Sequence, residues 1–260
     1  MKNSVLKEKL EQHYLAYRQK FSSKDPVWIL HRFNDERDIE IAGLLTAAYA
    51  YGSVDQINRF INSLLETCSN SPYEFTINFQ KRKDKKYLHG LKYRFNTADD
   101  LAELIATIST ALKANGSLKQ HFMKHMQAEE KTVLGALSGF VAELNSGIGK
   151  DRGRYYHYLL SDPVNGSTCK RMNLFLRWMV RKDEIDTGIW SEVGTSKLVM
   201  PVDTHIARIS RKLGLVKRKS IDLKFAVELT EKLRCFDSAD PVKYDFALCH
   251  IGIDKKDFWT

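Results

Sequence analysis

The stretch that decides the fold reads N-G-S-T-C-K-R-M-N-L-F-L-R-W-M-V-R, from Asn165 to Arg181. Its apolar side chains recur at helical spacing, which predicts an amphipathic helix. A polar stripe follows another face of the same segment, and its members are Lys170, Asn173, Arg177 and Arg181. Lys170 falls in the opening turn of the predicted helix, where the peptide dipoles disfavour a nearby positive charge.

A second helix is predicted in the segment M-P-V-D-T-H-I-A-R-I-S-R-K-L-G-L, from Met200 to Leu215. Asp203 or Thr204 is its N-cap, because both side chains can accept a hydrogen bond from the first-turn amides. Gly214 is its carboxyl-terminal stop. An amine and a carboxylate, each held at the start of a helix, are therefore the elements of a Lys170–Asp203 pair.

These motifs resemble the core of the helix-hairpin-helix DNA glycosylase superfamily. In its endonuclease III type, a lysine lies four residues after a hairpin glycine and an asparagine follows three further on. Gly166, Lys170 and Asn173 match that spacing. The later V-D-T-H motif carries the superfamily's catalytic aspartate, which falls on Asp203. As a whole, the chain resembles a bacterial family of unknown function that is related to these glycosylases.

Two features depart from the superfamily pattern. The hairpin there usually reads L-P-G-x-G, whereas this chain reads D-P-V-N-G-S-T from Asp162 to Thr168, which alters the phosphate-binding turn. The segment between Lys170 and Asp203 is also longer than in endonuclease III. Its length is closer to the archaeal 8-oxoguanine glycosylase branch, which makes oxidised guanine the first candidate for the recognised base.

The rest of the chain also predicts helices, and it has no alternating strand pattern. We therefore expect an all-α fold, for which the resemblance implies two lobes, a central cleft and an altered helix-hairpin-helix. A six-helix lobe then spans 38–182 and ends in the hairpin-like motif. A terminal lobe combines 1–37 with 200–260, and 183–199 is the connecting loop. The charged run Gln80–Lys86 is predicted to be a solvated loop.

The charge of the chain favours a polyanionic partner. Lysine and arginine number 41 against 32 aspartates and glutamates, which gives a net charge of +9. A basic surface gains affinity for nucleic acid by releasing phosphate counterions, although many proteins are this basic without binding it. The sequence contains no apolar run long enough for a membrane span, and its first residues lack the apolar core of a signal peptide. We expect a cytoplasmic monomer.

The sequence offers no evident metal centre. The cysteines are scattered, without a C-x-x-C pair, at Cys68, Cys169, Cys235 and Cys249. We therefore expect neither the iron–sulfur cluster of some endonuclease III relatives nor any other cofactor. His121 and His125 share a helical face at a spacing that can bind metal. Because no third ligand lies nearby in sequence, we expect a surface pair and no metal site.

The resemblance implies a bifunctional DNA glycosylase and AP lyase acting on double-stranded DNA with a damaged base. The base would be flipped out of the duplex. Lys170 would attack the sugar as a neutral amine and remain bound as an imine, and Asp203 would stabilise the cationic sugar. The implied DNA-binding residues are Gly166, Ser167, Thr168, Arg171, Asn173, His205, Arg208, Arg211 and Lys212.

Two other functions stay open. A glycosylase-like fold that binds nucleic acid or lesions without cutting would share the basic charge and tolerate the altered hairpin. The presence of both Lys170 and Asp203 argues against that alternative. An enzyme acting on RNA or free nucleosides is the other. Borohydride trapping of a protein–DNA adduct separates catalysis from binding alone.

Overall fold

A computed structural model describes residues 3–19, 21, 23–146, 155–254 and 257–259. Within these ranges the chain forms α-helices and short 3-10 helices and no strand. Two isolated bridges, Tyr93 to Asn96 and Lys182 to Thr187, are its only extended pairings there. The predicted all-α class is confirmed for this part of the chain.

The helices follow closely on one another. Their bounds are α1 Asn3–Tyr17, α2 Glu36–Ala48, α3 Val54–Thr67, α4 Pro72–Asn78, α5 Lys81–Asp84, α6 Ala98–Asn115, α7 Leu118–Met123, α8 Leu134–Ser146, α9 Lys170–Val180, α10 Thr204–Lys212, α11 Leu223–Arg234 and α12 Asp245–Ile253. The 3-10 helices are Pro26–Arg32, Lys85–Leu88, Tyr156–Tyr158, Pro163–Asn165 and Thr195–Lys197. Among the described helices, none has the combined length and apolarity that crossing a bilayer demands.

The chain divides into two compact units by its contacts. The terminal unit comprises 1–23, 130–134 and 163–260, and the mid-chain unit comprises 24–129 and 135–162. The hairpin-like motif, assigned from sequence to the end of the mid-chain lobe, shares the terminal unit with α10 and α12. Both helices predicted to carry the reactive pair therefore lie in one unit.

The helix starts follow the capping chemistry that the sequence predicts. A side-chain oxygen at each cap accepts a hydrogen bond from a backbone amide two or three residues later. These caps are Asp25, Ser53, Thr97, Asp203 and Asp222. Thr97 and Asp100 also complete a reciprocal capping box at the start of α6.

The prediction of a loop at Gln80–Lys86 is wrong, because the run forms α5 and the start of the following 3-10 helix. Asp84 accepts a hydrogen bond from the Gln80 amide at 2.8 Å, which closes the first turn. Lys81 and Lys85 form ion pairs with Glu103 and Asp99 of α6. The charges that suggested a solvated loop thus attach a helical turn to the neighbouring helix.

The mid-chain unit is packed around α2. The small residues Ala42, Gly43 and Ala47 are buried there and allow other helices to approach closely. Helix α2 contacts the Pro26–Arg32 turn, α3, α4 and α7, and α4 also packs on α6.

The terminal unit is packed around α12, which contacts α1 and α10. A Cβ atom at Gly252 would lie only 3.0 Å from the His205 Cβ atom of α10, so a larger residue would crowd this approach. The guanidinium of Arg208 donates a hydrogen bond to the Gly252 carbonyl at 2.8 Å. The hydroxyl of Tyr244 donates to Glu11 of α1 at 2.5 Å.

A tight turn after α9 ends at Gly188. The carbonyl of Trp178 accepts hydrogen bonds from the Thr187 amide at 3.1 Å and the Gly188 amide at 3.2 Å. Gly188 has a φ of +60°, and a Cβ atom there would lie 2.8 Å from the Arg181 carbonyl oxygen. Both the backbone conformation and the available space therefore require glycine.

We predict that Gly188→Ala destabilises the protein more than Gly214→Ala. Gly214 has a similar φ of +71°, but a Cβ atom added there would have no neighbour within 4 Å. The Gly214→Ala variant therefore measures only the free-energy cost of a positive φ for alanine. That cost is about 1–2 kcal/mol, and backbone crowding at Gly188 should add roughly 1–3 kcal/mol. Urea denaturation of both variants measures the difference. Equal losses of stability would show that the turn relaxes around the added methyl group.

Candidate active site

The chain enters α9 through a turn that places Lys170 at the first helical position. Gly166 has a φ of +73°, and Cys169, which precedes the helix, has the left-handed values φ +48° and ψ +36°. The hydroxyl oxygen of Ser167 accepts a hydrogen bond from the Cys169 amide at 3.2 Å. The left-handed conformation of a non-glycine residue here is a local strain that the surrounding bonds hold in place.

Thr168 joins this turn to the start of α10. Its hydroxyl donates a hydrogen bond to the Val202 carbonyl at 3.2 Å, across 34 residues of sequence. Its own carbonyl accepts a hydrogen bond from the Asn173 amide nitrogen at 3.0 Å. Since Val202 immediately precedes Asp203, the same residue fixes the starts of both helices.

Lys170 and Asp203 form an ionic contact. The Nζ atom of Lys170 lies 4.0 Å from Oδ2 of Asp203. The other carboxylate oxygen, Oδ1, caps α10 by accepting a hydrogen bond from the Ile206 amide at 2.9 Å. The side chains are 29% and 23% exposed, so both charged groups are held by the protein and also reach solvent.

The residues that the resemblance assigns to DNA binding fall into different environments. Gly166 and Ser167 are exposed, whereas Thr168 and Arg171 are half-buried. Asn173 is only 1% exposed, and its amide bonds to the turn. The structure therefore gives Asn173 a supporting position beneath the turn and leaves Gly166 and Ser167 at the surface.

The three cationic residues of α10 already have partners within the chain. Arg208 bonds to the Gly252 carbonyl, and Arg211 donates to the carbonyls of Arg218 and Lys219 at 3.1 and 2.6 Å. Lys212 pairs with Asp257 at 3.1 Å. His205 is half-buried against α12, where its Cβ atom faces Gly252. These cations stabilise the terminal unit, and Arg208 and Lys212 have exposed side chains as well.

A buried charge network continues the polar stripe of α9 beyond Lys170. Its two cations are Arg177 and Arg181, which are 3% and 4% exposed. Arg177 contacts Asp245 and donates to Asp186 at 3.1–3.2 Å. Arg181 contacts Asp186, and it pairs with Asp183 at 3.0 Å and Asp240 at 2.8 Å. Four carboxyl groups thus surround two guanidinium groups.

Asp245 connects this network electrostatically to Lys170 and Asp203. Burial raises the pKa of Asp245 to about 6, although the Arg177 guanidinium beside it acts in the opposite direction. The negative charge of Asp203 also raises this pKa, and the positive charge of Lys170 lowers it. The electrostatics of Asp245, Asp203 and Lys170 are therefore coupled.

The sequence signal for this network was incomplete. Arg177 and Arg181 share a helical face with Lys170, so the stripe was visible. Their burial was not, because an arginine stripe is normally solvated. Two of the acids that make burial possible, Asp240 and Asp245, lie far away in the sequence, and Asp245 is 68 residues from Arg177. Spacing within the motif contains no information about such a partner.

The mid-chain unit has a basic surface pocket of about 480 Å³. Arg59, Lys92 and Arg94 contribute positive charge to its lining, and Phe60 and Tyr93 contribute aromatic rings. This mixture of cations and rings suits a phosphate-bearing ligand. The lining includes neither Lys170 nor Asp203, so the pocket is not the site of their chemistry.

A family model described as "Protein of unknown function (DUF2400)" matches residues 25–254. No curated protein and no solved structure matches the chain. The matched range includes the hairpin-like turn, both members of the Lys170–Asp203 pair and the buried network. The candidate site therefore lies wholly inside the family region.

We predict that the stability of the Asp245→Asn variant relative to the parent increases as the pH rises. The folded-state pKa of about 6 exceeds the ordinary value of 3.8, so the folded parent loses stability as the pH rises through this window. Asparagine does not titrate. The unfolding free energy of the variant relative to the parent should therefore rise by about 2–4 kcal/mol between pH 4 and 7, as urea denaturation can measure.

Asp222→Asn is the control for this experiment. Hydrogen bonding to Arg218 lowers the pKa of Asp222 to about 2, which lies below the tested range. The stability difference between that variant and the parent should consequently change little between pH 4 and 7. A flat difference for Asp245→Asn as well would mean that Asp245 is ionised throughout the range.

Proposed function

The chain belongs to the DUF2400 family, a family of unknown function, and we propose that it is a bifunctional DNA glycosylase and AP lyase. The observation that carries this proposal is the 4.0 Å contact between the Lys170 amine and the Asp203 carboxylate. One group is a nucleophile, and the other stabilises positive charge. Each is anchored at the start of its own helix and remains accessible.

The first chemical step is loss of the damaged base. The bond between the sugar C1′ atom and the base nitrogen breaks, and its electron pair leaves with the base. Positive charge develops at C1′, and the carboxylate of Asp203 stabilises it. The carboxylate is held ready for this role because its second oxygen is fixed on the Ile206 amide. Little reorganisation is then needed in the transition state.

The second step is covalent capture of the sugar by Lys170. The lone pair of the neutral amine forms a bond to C1′. The nitrogen, now positively charged, passes a proton to the carboxylate of Asp203. The bond from C1′ to the ring oxygen then breaks, and that oxygen takes up a proton, which leaves an imine. Loss of a C2′ proton from the imine allows the 3′ phosphate to depart, which is the lyase reaction.

Damaged duplex DNA is the substrate that we propose. The net charge of +9 favours a polyanion, and the exposed Gly166–Ser167 turn precedes Lys170 as the hairpin precedes the lysine in helix-hairpin-helix glycosylases. We therefore also propose that the chain has the helix-hairpin-helix glycosylase fold and that the turn before α9 is its altered hairpin. Oxidised guanine is the first base to test.

We predict that Lys170→Gln abolishes adduct formation while lesion DNA still binds. Glutamine keeps a polar side chain but lacks an amine that can form an imine. The assay treats the parent and variant with borohydride in the presence of duplexes carrying different lesions, and it detects the covalent adduct on a denaturing gel. Binding is measured separately by fluorescence anisotropy.

Lys224→Gln is the matched control for this variant. Lys224 is the second residue of α11, two positions after the Asp222 cap, and it is exposed. Its replacement should leave adduct formation unchanged. An adduct that persists in Lys170→Gln would place the nucleophile elsewhere. A parent that binds lesion DNA without forming an adduct would favour the non-catalytic binding function.

We predict that Asp203→Asn slows base excision by roughly a hundredfold or more with little loss of stability. Asparagine caps a helix about as well as aspartate, so α10 should keep its start. The replacement removes the carboxylate charge that stabilises the positive charge developing at C1′. Single-turnover excision measures the rate, and urea denaturation measures the stability. Asp222→Asn, another cap replacement, should leave the excision rate unchanged. A similar rate in Asp203→Asn and the parent would remove Asp203 from the mechanism.

A further inference from the structure

Three metal-binding side chains meet in the mid-chain unit. His121 lies on α7, His125 follows that helix, and Glu143 lies on α8. The Nε2 atom of His125 lies 3.0 Å from Oε2 of Glu143, and the Nε2 atom of His121 lies 4.0 Å from the same oxygen. One ligand atom from each residue lies within 4.8 Å of the other two. Glu143 supplies the third group that the sequence did not reveal.

These separations suit a small divalent cation. Zinc binds imidazole nitrogen and carboxylate oxygen at about 2.0–2.2 Å, so its tetrahedral ligands lie roughly 3.3–3.6 Å apart. The Nε2 to Oε2 distances from His125 and His121 to Glu143, 3.0 and 4.0 Å, lie just below and just above that range. Slight rotation of the His125 and Glu143 side chains would place all three atoms around one ion.

The surroundings hold both imidazoles in position. His121 is 1% exposed, which corrects the prediction of a surface pair. Its ring stands edge-on to Phe140 at 4.9 Å, and its Nδ1 atom lies 2.9 Å from the Asn115 amide.

Gly139 makes room for the second imidazole. A Cβ atom at this position would lie 2.5 Å from Nδ1 of His125, so a larger residue would displace the ring. Gly139 and Glu143 lie four residues apart on α8 and therefore share a face. This face of α8 provides both a carboxylate and the space in which the imidazole meets it.

The start of α7 is also fixed. The buried carboxylate of Glu40 accepts hydrogen bonds from the Leu118 and Lys119 amides at 3.0 and 3.1 Å. Lys124 contacts Oε1 of Glu143, whereas both imidazoles approach Oε2. The ammonium group therefore neutralises the carboxylate from one side and leaves the other oxygen directed at the histidines.

We propose that His121, His125 and Glu143 bind one zinc ion that ties α7 to α8. Water would complete the tetrahedron, because the chain supplies three ligands. This proposal is independent of the proposed DNA chemistry, and its test measures metal binding and stability.

In this structure the Asn115 amide nitrogen faces Nδ1 of His121, and Nε2 lies 3.4 Å from the Phe140 carbonyl oxygen. Zinc binding through Nε2 would move the proton to Nδ1 and turn the Asn115 amide so that its oxygen accepts that proton, at the expense of the amide's bonds to Ala111 and Lys124.

We predict that the metal-stripped full-length protein binds one zinc ion per chain and unfolds at a higher temperature when zinc is present. Calorimetric titration measures stoichiometry and affinity, and a thermal scan measures stability. Magnesium should produce neither effect, because it prefers oxygen ligands. Cobalt at the same site should give the visible absorption of a tetrahedral centre, which adds a spectroscopic signature.

Four variants locate the site. His125→Gln and Glu143→Gln should each weaken zinc binding at least ten-fold, and Gly139→Ala should weaken it by displacing an intact ligand. His157→Gln, which replaces an exposed histidine of the same unit outside the cluster, should leave it unchanged. Failure of the parent to bind zinc, or retained affinity in both His125→Gln and Glu143→Gln, would overturn the proposal.

Discussion

Burial of Arg177 and Arg181 is the constraint on which the terminal unit depends. A buried guanidinium must be paired, since its desolvation costs several kcal/mol. The partners are Asp183 and Asp186 in the turn after α9, Asp240 before α12 and Asp245 in its first turn. Because each arginine contacts more than one acid, the network fixes α9 to the adjacent turn and to α12 at the same time.

This constraint explains how the reactive pair is positioned. Lys170, Arg177 and Arg181 lie on the same side of α9, so anchoring of the arginines sets the rotation of the helix about its axis. At the other end of the helix, Thr168 bonds to Val202 and sets the distance to α10. Two sets of contacts thus position the amine and the carboxylate. One is the buried arginine–aspartate network, and the other is the hydrogen bond from Thr168 to Val202.

Features that depend on neighbouring residues can be predicted from this sequence, whereas contacts between residues far apart in the sequence cannot. The cap at Asp203 and the apolar stripe of α9 follow from residue type and period, and the structure has both. The turn at Lys81–Asp84 was missed because its stabilising acids lie on α6. His121 was placed at the surface because the residues that enclose it come from α6 and α8. Two helix starts with an amine and a carboxylate suggest the Lys170–Asp203 pair, and the family resemblance supplies its expected role, whereas periodicity alone does not set the distance between them.

The terminal unit joins the two ends of the chain, and this has a consequence for synthesis on the ribosome. His13 of α1 bonds to the Phe258 carbonyl, 245 residues away, and α1 packs on α12. The mid-chain unit has all of its residues before 163 and can begin to fold while translation continues. Helix α1 must instead wait for its partner, and Arg177 lacks its Asp245 counter-ion until the final helix is made. The surroundings of the Lys170–Asp203 pair are therefore complete only after α12 has been synthesised.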